Sequence, residues 1–121
     1  ANTGAGKEDH VSMGGFSARK AVQVVENVQK ILTIELLAVI HAIHHRKRLD
    51  PNFRIPEKLN ILYEDCAKIT PPMDKDRYLK SDYEGLLHYT GSVKKIVTTG
   101  FAVSKLKMEI VREGRRVLDS L

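Results

Sequence analysis

From Phe16 to Asp50 the chain has neither glycine nor proline, and its apolar residues recur mostly at helical spacing: Ala21, Val24, Val25, Val28, Ile31, Leu32, Leu36, Val39, Ile40 and Ile43. The spacing predicts one long helix over residues 16–47. Ser17 is a candidate cap, although Lys20 stands where a capping box has Glu. Arg46, Lys47 and Arg48 suit the negative end of the helix dipole. A helix of about 30 residues is about 45 Å long at 1.5 Å per residue, more than a small domain needs.

Between Ile31 and Ile43 this pattern is apolar nearly all round, interrupted only by Thr33, Glu35 and His41. A helix apolar on every side is normally buried on every side. The run is too short, and too interrupted by Glu35, for a membrane span of about 20 residues. The rest of the chain has too few apolar segments to enclose it, so helices from a partner or from another part of the same protein are expected around it. A buried Glu35 needs pairing, hydrogen bonding or protonation, and an Arg or His of a neighbouring helix is its expected partner.

The remaining elements are shorter. Residues 1–15 carry four glycines, Gly4, Gly6, Gly14 and Gly15, and read as a loop. Pro51 and Pro56 bound a connection, and Pro56 suits the first position of a second helix with Glu57 in its first turn. Leu59, Leu62, Tyr63 and Cys66 give that helix its apolar face, and Pro71 and Pro72 end it. Residues 73–81 read as a charged loop. Ser81 and Asp82 are candidate caps for a short helix through about His88. Residues 92–98 fit either helix or strand, because Ile96, Val97, Thr98 and Thr99 favour strand locally. A last helix carries Val103, Leu106, Ile110 and Val117 near one face, weakened at Gly114 by about 1 kcal/mol relative to Ala. The expected fold is all-α: long helices forming part of a helical bundle, with no internal repeat.

A length of 121 residues allows one domain or part of one. With 42% hydrophobic and 29% charged residues, disorder along the whole chain is not expected. The net charge of +5 permits anionic partners. Only 6% of residues are aromatic and Trp is absent, which argues against nucleic acid held by base stacking. Cys66 is the only cysteine, which excludes an internal disulfide and fits a cytoplasmic location. Residues 1–6 lack the apolar core of a signal peptide. A first residue other than Met is expected of a processed or cut piece of a longer protein.

Three candidate chemistries fall to plainer readings. Gly4-Ala5-Gly6-Lys7 lacks the first glycine and the Ser or Thr of a phosphate loop. His41 and His45 stand four apart, as zinc ligands can, but Ala42 stands where the activating Glu is needed and Cys66 is only a distant third candidate without supporting geometry. No metal site is expected, and His41 reads as a packed or polar contact. The basic residues from His44 to Arg48, with Lys94, Lys95, Lys105, Lys107, Arg115 and Arg116, read as solvated helix faces rather than phosphate contacts. Lys7 to Gly14 is different: Glu8, Asp9 and His10 crowd titratable groups before a long helix, suited to acid–base chemistry.

At these residues the sequence resembles a known family. Glu8-Asp9-His10-Val11-Ser12-Met13-Gly14, Ser17-Ala18-Arg19-Lys20, Val24-Val25-Glu26-Asn27-Val28 and Ile34-Glu35-Leu36-Leu37 resemble, in order and spacing, one stretch of the aromatic amino-acid ammonia-lyases. Asp74-Lys75-Asp76-Arg77-Tyr78 resembles a later segment of the family. The resemblance implies the C-terminal part of an enzyme that removes ammonia from an aromatic amino acid. It implies a homotetramer whose long helices form a central bundle, with residues 1–15 as an active-site loop, 16–47 as a central-bundle helix and 48–121 as shorter helices and loops. It also implies a methylidene-imidazolone (MIO) electrophile made from Ala-Ser-Gly, a tripeptide this sequence does not contain.

Glu8 falls where histidine lyases have an active-site Glu, which tilts the substrate towards histidine and the product towards urocanate. Glu8 is then the catalytic candidate, and Asp9 and His10 support the substrate loop. On this reading the missing N-terminal portion of the lyase is the chain's partner, and the chain alone is inactive. The alternatives are a non-catalytic helical assembly module derived from the family and a basic nucleic-acid-binding helical protein.

Overall fold

A computed structural model of the chain describes the backbone of residues 3–121 and the side chains of residues 15–121. Four helices follow in order: α1 (Thr3–Leu49), α2 (Glu57–Ile69), α3 (Lys80–Tyr89) and α4 (Val93–Ser120). No strand occurs among the described residues. The fold is all-α, as the periodicity predicts.

α1 supplies the spine of the core. Leu32, Leu36, Val39, Ile40 and Ile43 are buried on one face, which is the stripe that 3.6 residues per turn produces. Phe53 from the connection, Tyr63 and Cys66 of α2, Leu86 of α3, and Val103 and Leu106 of α4 close over that stripe. α1 packs chiefly on α4 and α3, more lightly on α2. Glu35 meets Lys107, Arg46 meets Gly114 and Asp50 meets Arg116, so α1 and α4 run in the same direction, with α2 and α3 as the crossover between them.

Several expectations change. Residues 3–15, expected as a loop, lie within α1. Each glycine there weakens a helix by only about 1 kcal/mol, no proline precedes Pro51, and extending a formed helix is far easier than nucleating one. The apolar girdle from Ile31 to Ile43 is covered on one side only, since Ile31 and Ile34 remain 60% and 57% exposed. Glu35 is accordingly not buried. It pairs with Lys107 of α4 at 3.2 Å, rather than with an Arg or His.

Residues 92–98, open to helix or strand, begin α4, which runs unbroken through Gly100 and Gly114. Ser92 caps it, accepting a hydrogen bond from the Lys95 amide at 3.1 Å. Burial of Thr99, Val103 and Leu106, with Ile96 and Ile110 packed beside them, outweighs the local preference of β-branched residues for strand. Pro56 is the N-cap of α2 rather than its first residue. Leu79 precedes α3 without a side-chain cap, and Asp82 turns into the interior instead. Before the core, residues 15–28 of α1 are exposed on all sides. No helix among the described residues is long and apolar enough to cross a membrane.

Candidate functional site

Glu8, Asp9 and His10 lie in the backbone span of α1, and their side chains fall outside the described residues. What the structure does place is a buried polar junction where α1, α2 and α3 meet. His41 and His44 lie one turn apart on α1, turned inward with Ile40 and Ile43. Thr70 ends α2, its hydroxyl and its carbonyl both facing them. The His41 Nε2 to Thr70 Oγ1 distance is 2.7 Å. Thr70 donates its own proton to Asp82 Oδ2 at 2.6 Å, because a carboxylate can only accept. The Thr70 oxygen therefore accepts from His41 Nε2–H.

Arg77 closes the junction from the loop before α3. It donates to the same Asp82 oxygen and to the Pro71 carbonyl, the latter at 2.9 Å. His44 donates from Nε2 to the Thr70 carbonyl at 2.8 Å and accepts at Nδ1 from the Tyr63 hydroxyl at 2.6 Å. His41 and His44 meet edge to face, with ring centroids 5.2 Å apart. A second, smaller cluster joins α1 to the α3–α4 turn. Gln29 donates to the Leu87 carbonyl at 2.8 Å, and Thr33 and Thr90 share a hydrogen bond at 3.2 Å.

The electrostatics follow from burial. Burial is the main reason both histidines titrate below the usual imidazole value of 6.5. His41 is lowered further by His44 and Arg77, against the pull of Asp82. For His44 the bond to the Thr70 carbonyl opposes the shift, while Arg77, Lys47 and Arg48 add to it. Burial alone would raise Asp82, but hydrogen bonds from Arg77 and Thr70 and the charges of Arg77 and His41 bring it below the ordinary carboxylate range. Chemically the junction is a strap: it holds the 73–79 loop and the start of α3 against α1 and presents no free nucleophile.

His41 thus makes the polar contact the sequence suggests, while His45 points to solvent. No group of three or more His, Cys, Asp and Glu side chains is placed to hold a metal ion among the described residues. Thr70 and Tyr63 carry no sequence signal for their roles; the inward pair His41 and His44 and the close spacing of Arg77 and Asp82 were the available clues. Some of the basic residues are paired: Lys107 with Glu35, Arg112 with Glu109, and Arg116 with both Glu113 and Asp50.

The residues present do not fit a self-made MIO group. Its precursor is a contiguous Ala-Ser-Gly, absent here, and the Gly91-Ser92 pair has the reverse order with Ser92 engaged as the α4 cap.

A family model described as aromatic amino acid lyase matches residues 1–66. Histidine ammonia-lyase of Caenorhabditis elegans is 41% identical over 85 residues, 70% of this chain and 12% of that protein. The Bos taurus histidine ammonia-lyase is 34% identical over 116 residues, 96% of this chain and 17% of its own length. That of Natranaerobius thermophilus is 35% identical over 106 residues, 88% of this chain and 19% of its own. The chain therefore spans less than a fifth of each of these relatives, and no solved structure matches it. With more than half of its residues matched by the family model, the chain belongs to the aromatic amino acid lyase family.

Proposed function

We propose that this chain serves ammonia elimination from an aromatic amino acid, with histidine as the favoured substrate and urocanate as product. The observation that carries the reading is the family match over residues 1–66, which contains Glu8-Asp9-His10, together with histidine ammonia-lyases aligned over as much as 96% of the chain. In this role the chain is the C-terminal segment of the enzyme. Glu8 meets the amino or imidazole group of the substrate, and Asp9 and His10 support its segment. The electrophile comes from another part of the enzyme, since the chain has no Ala-Ser-Gly. The exposed aliphatic residues of α1 dock in a bundle with further copies, a tetramer in the family. A cytoplasmic location accompanies the reading, supported by the single, unpaired Cys66.

The test is Glu8→Ala in the full-length lyase carrying this segment. Loss of a positioned acid–base group lowers kcat by about 10²-fold or more, with helix content unchanged by circular dichroism. Turnover of histidine at the parental rate would remove Glu8 from the site. A second reading, a non-catalytic assembly module, is favoured by the missing tripeptide. It requires a stoichiometric oligomer of the purified chain without elimination activity, and histidine turnover by the chain alone excludes it.

A further inference from the structure

α4 has two apolar faces. One carries Thr99, Val103 and Leu106, which are buried where the helix packs on α1. The other carries Val97, Phe101, Met108, Val111 and Leu118, which remain 54% to 70% exposed. With Ser104 and Arg115, these positions follow one another in alternating steps of four and three, the spacing of the seam that one helix of a coiled coil offers another. A stripe this narrow fits a partner helix better than a broad apolar environment. Hollows adjoin it. One of about 480 Å³ lies beside Val97 and Phe101, with Val28 and Leu32 of α1 across from them. Another of about 660 Å³ lies beside Met108, against Leu59 of α2. Both can receive side chains of a helix laid on the seam.

The charges beside the seam decide which helix that is. Lys105, Lys107 and Arg112 flank it and are exposed, and Asp119 in the last turn is the one acid at the flanking positions. A second copy of α4 laid along the seam, in either direction, sets cation against cation, which disfavours self-pairing. Arg115 interrupts the seam itself and, once covered, needs an acid opposite it. The fitting occupant therefore has a seam of the same spacing, Asp or Glu on its flanks and one acid within it. This chain spans only 12% to 19% of the relatives it matches, so the rest of such an enzyme is the nearest source of that helix.

We propose that the exposed seam of α4 is the docking site of an acid-flanked amphipathic helix from the rest of the lyase. The inference rests on the reading of this chain as a segment of the larger enzyme, but not on the role of Glu8.

The test is photo-crosslinking in the full-length lyase carrying this segment. Benzoylphenylalanine replaces Phe101 or, separately, Met108, and mass spectrometry identifies the crosslinked peptide. Lys75, exposed on the loop before α3, carries the control crosslinker. Both seam positions are expected to join one helix N-terminal to this segment, with Asp or Glu beside its apolar seam, and the control is expected not to. Arg115→Glu sets acid against acid and is expected to cut the yield at Met108 about tenfold, with helix content unchanged; should that variant fail to assemble, the crosslink map without it decides. Crosslinks to α4 of a second copy, to a segment without acids or to lipid alone overturn the proposal, as does an undiminished yield in the folded Arg115→Glu enzyme. Turnover by Glu8→Ala is scored separately, so the catalytic reading can fail while the crosslinks stand.

Discussion

At His44 the tautomer is forced by chemistry. The Thr70 carbonyl can only accept, so Nε2 carries the proton, and Nδ1 is left as the acceptor for Tyr63. A neutral ring satisfies both partners; a charged ring must be paid for in buried surroundings. His41 and His44 both bind protons less readily folded than at the ordinary value of 6.5. Below 6.5 the unfolded chain therefore takes up more protons than the folded one. The histidine contribution to stability is complete above 6.5 and is lost as pH falls from there towards the lowered folded values. Urea unfolding at about pH 7.5 and about pH 5.5 checks this: the midpoint is expected to be lower at the acidic pH, and His44→Leu to flatten the difference. An unchanged midpoint across that range contradicts it. Asp82 acts in a separate window, contributing above the ordinary 3.8 and losing its effect as pH falls below that. Of this network, only a packed or polar contact at His41 was legible in the sequence. Thr70 is one hydroxyl among many in the sequence, and only the fold sets it between two histidines and a carboxylate.

Among the elements, the glycines of α3 and α4 separate two uses of a missing side chain. A Cβ on Gly85 would stand 2.6 Å from Cγ2 of Ile69, so the Ile69 side chain, packed against the core, would have to shift to admit one. A Cβ on Gly100 meets nothing within 4 Å. Gly100→Ala is expected to stabilise by about 0.5–1 kcal/mol through helix propensity. Gly85→Ala is expected to destabilise by about 1–3 kcal/mol, because the overpacking outweighs the same propensity gain. Thermal unfolding of the two variants should move in opposite directions. The pattern of apolar residues was enough to find α1, whose long run lacks glycine and proline, and α2, bounded by Pro56 and Pro71. It misjudged 3–15, where four glycines suggested a loop, and left 92–98 open, because Ile96 to Thr99 favour strand until Val103 and Leu106 find the α1 stripe. Glu8, Asp9 and His10 were singled out only through the family resemblance.

For the whole molecule, the described side chains of α1 divide into an exposed stretch, residues 15–28, and a packed stretch from Leu32 onward. Phe16, Val22, Val24, Val25, Val28, Ile31 and Ile34 all face solvent within this chain, and apolar side chains clustered along one element in this way mark a contact surface. On the bundle reading, covering this surface with further copies makes stability depend on concentration. The Tm of the purified chain should rise by several degrees on a hundredfold increase in protein concentration, with a matching change in sedimentation; a Tm independent of concentration argues against self-association. The core itself offers a separate way to watch the molecule open. Cys66 is fully buried, and burial first, then the Asp65 charge, pushes its thiol up to about 12 against the pull of Lys95. Only the thiolate reacts with alkylating reagents, so the closed protein is shielded twice, by access and by ionisation. With one cysteine in the sequence, each molecule carries a single chemical clock, which advances only while α2 stands away from α1.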